Sequence, residues 1–139
     1  MLRKWKEKME AKAKAIAESR QWRNNDLLQD CLQAMRGSCT VVPMELHEAA
    51  EMSVNIALRE DTWTEVPKLT DIPEAFLSGM VYIIWDEATL PVLKVPWKVV
   101  TENLYDVRCV NHHTFLVAET MDRIIWLDGL GRIKLYSIA

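Results

Sequence analysis

The chain is poor in the residues that most sites of chemistry are built from. It holds only three cysteines in 139 residues, Cys31, Cys39 and Cys109. No two of them stand at CxxC spacing, and an odd, scattered set makes no disulfide framework. Glycine occurs only four times, and no Walker A segment or serine-centred nucleophile elbow is present. Gly129-Leu130-Gly131 lacks the third glycine of a dinucleotide fingerprint, and no helical pattern follows it. No apolar run is long enough to span a bilayer. The first residues are charged, with no apolar core and no small-residue cleavage site, so no secretory signal is expected. Unpaired thiols suit a reducing compartment, and together these absences predict a cytoplasmic protein.

The candidate chemical groups do not assemble into a site. The histidines are His47, His112 and His113. Neighbouring side chains in an extended chain point to opposite sides, so His112 and His113 cannot share one metal there. Cys109 is near them, but nothing completes a zinc ligand set. The run 107–110 reads as a strand, which gives Cys109 no helix N-terminus to hold a thiolate beside those histidines. Asp86 and Glu87 are adjacent carboxylates, which read as a solvated polar turn rather than as an acid–base pair. No catalytic residue, metal or cofactor is assigned, and the chain is not expected to be an enzyme.

What is present describes an ordinary globular chain. Hydrophobic residues make up 50% and charged residues 27%, enough apolar surface to offset chain entropy. The length suits one domain that needs no disulfide or metal to fold. The expectation is a single domain over 1–139, with a basic amphipathic helix over 1–23 and an acidic α+β body over 24–139. Residues 1–25 carry eight Lys or Arg against three Asp or Glu, while residues 26–139 carry nine against seventeen, a net −8. An acidic body suits a basic protein partner. Nucleic acid is not expected as a partner, because Arg108, Arg123, Arg132 and Lys134 are interspersed with acids. A membrane is not expected either, since the apolar stripe of the basic helix is thin and broken by Lys12. Docking of that helix on an acidic neighbour would give a homodimer. Six tryptophans are many for this length; most are expected to anchor the core, with one or two at a partner interface.

Periodicity orders the elements. Asn24-Asn25-Asp26 offers capping oxygens for a helix through Met35, stopped at Gly37. Thr40-Val41-Val42 reads as a short strand or extended link, and Pro43 suits the first turn of a helix whose apolar set runs from Leu46 to Leu58. Helix is favoured there over a strand alternation of Met52, Val54, Ile56 and Leu58, because Ala and Glu dominate the span. Residues 61–73 read as loop. Met80 to Trp85 is apolar on both faces and belongs in the middle of a sheet. Residues 90–95 are extended, and Pro96 opens a short helix to about 104. The end reads as a meander of runs 107–110, 115–119, 124–127 and 132–138, with a glycine hairpin at 128–131. The fold class is therefore α+β, with N-terminal helices packed on a small, mainly antiparallel sheet that ends in a β-meander.

The stretch Val81-Tyr82-Ile83-Ile84-Trp85-Asp86, then Leu90-Pro91-Val92-Leu93-Lys94, a helix, Tyr105-Asp106-Val107 and an aromatic-rich hairpin resembles the small bacterial immunity proteins of polymorphic and contact-dependent toxin systems. The resemblance spans the C-terminal half and includes no catalytic motif. It implies a protein-binding module that neutralises a cognate toxin, a basic toxin domain being the partner, by tight complex formation. Asp61, Trp63, Glu65, Asp86 and Glu87 are the candidate partner-binding residues. The alternatives are a phage or mobile-element accessory protein that binds a host protein, and a small enzyme whose site has no recognisable motif.

Overall fold

Asn25 opens the first helix of the fold, its side-chain oxygen accepting the Leu28 N–H at 3.0 Å. In the computed structural model the described residues are 6–7, 25–73, 76–87 and 90–138. The basic helix expected over 1–23 lies outside them apart from residues 6–7. Helix α1 (Asp26–Ala34) ends in a turn where Arg36 and Gly37 both take positive φ. Strand β1 (Thr40–Val41) follows, then α2 (Met44–Glu60), behind Pro43. Strand β2 (Thr64–Val66) precedes a short 3₁₀ turn, Leu69–Asp71. Next come β3 (Met80–Trp85), β4 (Leu93–Pro96) and two short helices, α3 (Trp97–Glu102) and α4 (Leu104–Cys109). Strands β5 (Thr114–Ala118), β6 (Arg123–Leu127) and β7 (Ile133–Ser137) complete the order.

The seven strands form one sheet in the order β1-β4-β3-β5-β6-β7-β2, and every adjacent pair is antiparallel. Helices cover both faces, which makes three layers. Val81, Ile83, Leu116, Ile125 and Leu135 face a core that includes Leu28 and Cys31 of α1, Val100 of α3 and Val107 of α4. Tyr82, Ile84, Val117 and Ile124 face Ala50, Val54 and Ala57 of α2. This double cover explains why β3 has no polar side, as its pattern predicts. Both edge strands are short and run into proline, Pro43 two residues after β1 and Pro67 directly after β2. Such edges discourage the addition of a further strand.

The α+β class and the meander of β5, β6 and β7 stand as expected, with three corrections. The helices are not all N-terminal, because α3 and α4 lie in the second half of the chain. Residues 107–109 are helical rather than a strand. Val107 and Val110 sit three apart and both are buried, a spacing that puts them on one face of a helix. Within 61–73, read as loop, β2 pairs with β7 and closes that side of the sheet.

Candidate protein-interaction surface

The surface begins where α2 stops. Asp61 takes a left-handed conformation, φ 50°, which short polar side chains tolerate better than most. The turn brings Trp63 back so that its Nε1–H donates to the Ala57 carbonyl at 3.1 Å. Ala57 carries one of the last four carbonyls of α2, which have no partner within the helix. The Trp63 ring therefore caps the helix and lies along the α2 side of the sheet. Its centroid is 5.5 Å from that of Trp126, nearly edge-on at 67°, and 5.4 Å from that of Tyr136.

The sheet register builds the rest. Ile84, Phe115, Trp126, Lys134 and Glu65 pair in turn across five strands, from β3 to β2. The row runs from apolar residues buried beside α2 to a half-buried tryptophan and then to charge. Trp126 stacks on Phe115 at 5.5 Å and 26°, and the Lys134 ammonium sits 4.5 Å from the Trp126 ring centroid, in reach of its negative face. The indole Nε1–H of Trp126 donates to His113 Nδ1 at 3.2 Å. Trp63 and Trp126 remain partly exposed, while Glu60, Asp61 and Glu65 are exposed around them.

Two acids tie this surface down. Glu60 Oε2 accepts the Tyr136 hydroxyl at 2.5 Å, and that carboxylate raises the tyrosine pKa. Asp128 is buried, which by itself pushes its pKa up. Its carboxylate nevertheless accepts the Leu130 and Arg132 N–H groups at 2.9 Å each and the Arg132 guanidinium at 2.7 Å, and these hold it below the usual carboxylate value. Lys134 Nζ lies 3.8 Å from the same carboxylate.

The structure places Asp61, Trp63 and Glu65 together beside the end of α2. Asp86 and Glu87 follow β3, at the end of the sheet where the loop carrying His113 begins. The Asp86 N–H donates to the His113 carbonyl at 3.1 Å, and Glu87 Oε2 accepts from Asn111 Nδ2 at 3.4 Å. The surface also includes Trp126, His113, Lys134, Tyr136 and Glu60, which no local sequence pattern singles out. Alternation within 123–127 puts Trp126 on the Ile124 face, but only the register sets it beside Lys134 and Phe115.

The other candidate groups are dispersed. His47 is buried in α2 and hydrogen-bonded to Glu51 at 2.7 Å. Burial of Cys31 pushes its thiol up to about 12, which leaves it unreactive. Cys109 ends α4, partly exposed, rather than lying in a strand interior. An open groove of about 590 Å³ runs between α4 and the β6–β7 hairpin, lined by Leu27, Arg108, His112 and Gly129 among others. Among the described residues no group of three or more His, Cys, Asp or Glu could hold a metal ion, and no helix is long and apolar enough to cross a membrane. Comparison of the chain with protein-family models and with curated proteins finds no match.

Proposed function

We propose that this protein is a binding module that neutralises a cognate bacterial toxin in the cytoplasm by covering the toxin's basic surface. The observation that carries the reading is the contact of two half-exposed tryptophans, Trp63 and Trp126, inside a rim of exposed acids, Glu60, Asp61 and Glu65. Large aromatic rings supply contact area at little cost in side-chain entropy, which is why they concentrate where interfaces hold tightest. Trp126 lies on β6, and Trp63, in the turn between α2 and β2, is held by its bond to the Ala57 carbonyl and by the Trp126 and Tyr136 rings, so little ordering accompanies binding. The acids supply the complementary field. A toxin that cuts nucleic acid must be cationic to hold its substrate, and acids on its inhibitor steer the encounter and oppose acidic competitors.

The test is co-expression with the toxic domain encoded beside this gene. Protection of growth, together with a stable complex that weakens as salt rises, is the expected result. A toxic neighbour that kills equally well in the presence of this protein, with no complex at low ionic strength, would end the proposal.

A further inference from the structure

We infer that neutral His113 holds Trp126 in position and that protonation of His113 releases it, so that the two-tryptophan surface is gated by pH. The gate deepens the reading of this surface as the partner-binding one and rests on that reading for its biological use. The argument starts from what an indole can do. Its N–H is a donor and never an acceptor. Trp126 Nε1 points at His113 Nδ1 at 3.2 Å, so Nδ1 must present its lone pair and the ring proton must sit on Nε2. A second proton would set two N–H groups against each other. It would also add a positive charge beside the ring that already carries the Lys134 ammonium at 4.5 Å.

The loop cannot easily yield instead. The His113 N–H donates to Asn111 Oδ1 at 3.2 Å, and the His113 carbonyl accepts the Asp86 N–H at 3.1 Å. Gly129 of the β6–β7 hairpin lies beside the same loop, where a Cβ would be in ordinary contact with His112 Cβ at 3.4 Å and His113 Cε1 at 3.9 Å. With the backbone held, the side chains are the parts that can move, since the rings of Trp126 and His113 are both partly exposed. The charged and titratable groups near His113 are Asp128, Asp86, Glu87 and His112. Asp128 on the hairpin is engaged by Arg132, with Lys134 3.8 Å away. Asp86 meets His113 through its backbone N–H, and Glu87 is bonded to Asn111. His112 is exposed on the same loop and would add positive charge under the same conditions.

The test uses the full chain, labelled with ¹⁵N and free of any partner, and follows it from about pH 8 to pH 5, where imidazoles ordinarily titrate. Trp126→Phe assigns the Trp126 indole resonance, and long-range ¹H–¹⁵N correlations report which His113 nitrogen carries the proton. The expected result is an unprotonated Nδ1 at the high end, then an upfield shift of the indole proton along a one-proton curve that coincides with the His113 ring signals. In His113→Gln the shift should vanish, because no titrating ring remains beside the indole; in His112→Gln it should persist. An indole signal that stays still while His113 titrates, a curve that survives His113→Gln, or a His113 that takes up no proton in this range would each overturn the gate. Because the signal is read in the free protein, a failed gate and a failed binding reading are seen separately. A toxin complex without the indole curve sinks only the gate, and the curve without any complex sinks only the binding reading.

Discussion

Trp85 donates its indole hydrogen to the carbonyl of Val107 at 3.0 Å, from the end of β3 to α4. Both side chains are buried. Val107 carries one of the carbonyls that α4 cannot satisfy internally, so a single bond caps the helix and ties it to the middle of the sheet.

Replacing Trp85 by Phe should therefore cost more than its lost volume. The Val107 carbonyl would be stranded in the core and a small cavity would open, together about 2 kcal/mol. Urea unfolding should show a lower midpoint at unchanged slope. A shift of a few tenths of a kcal/mol would mean that the bond contributes nothing net and that α4 is held by Val107 packing alone.

The pair Tyr136 and Glu60 gives a stability difference that depends on pH. The carboxylate that accepts the phenol raises its pKa in the folded protein. A raised value means that folding favours the protonated phenol. That contribution is fully present below the unfolded value, about pH 10, and is lost as pH rises through the higher folded value. Tyr136→Phe should therefore melt below wild type at neutral pH, and the gap should close on the alkaline side. A gap that stays constant past about pH 11 would show that the hydroxyl acts only as packing.

Asp128 has the opposite sign. Its folded value lies below the ordinary one because two backbone N–H groups and Arg132 outweigh burial. The stabilisation it gives is present above about pH 4, the unfolded value, and is lost as pH falls through the folded value. Asp128→Asn keeps an acceptor for the turn but not the charge facing Arg132 and Lys134. The variant should be less stable than wild type at neutral pH and should approach it in acid, as read by thermal melts across that range. Equal melting at neutral pH would assign the turn to its glycines and not to the carboxylate.

How far these relationships can be read without coordinates depends on the range of the interaction. The Asn25 cap, the stop at Gly37 and the hairpin at Asp128-Gly129-Leu130-Gly131 are local, and each is visible in a few adjacent residues. The placement of Met80–Trp85 at the centre follows from its lack of a polar side. Residues 107–110 suit a short apolar strand as well as a helical turn, because two valines with two intervening residues fit both; residues 107–109 are helical, and the Trp85 indole bonds that helix at the Val107 carbonyl. Strand β2 has no local signal, because Thr64, Glu65 and Val66 are mostly exposed and are a strand only by virtue of β7. The interaction surface divides in the same way. Asp61, Trp63 and Glu65 are neighbours in sequence and stand out together, whereas Trp126, His113 and Lys134 join them through strand register, which no local pattern encodes.

The acid rim provides the sharpest test of which side of the molecule meets a partner. Asp61→Asn tolerates the left-handed turn, and Glu65→Gln removes charge from an exposed edge strand, so the double variant should fold with stability within about 0.5 kcal/mol of wild type. Two charges fewer should slow association with a basic toxin domain several-fold at low ionic strength. The difference should shrink as salt rises and the Debye length falls to about 10 Å or less, while dissociation stays nearly unchanged. Stopped-flow mixing followed by tryptophan fluorescence reads both rates. Asp86→Asn with Glu87→Gln is the matched comparison at the other end of the sheet. If that pair slows association and the Asp61 and Glu65 pair does not, the partner approaches the β3 end of the sheet, and the surface around Trp63 and Trp126 is packing rather than interface.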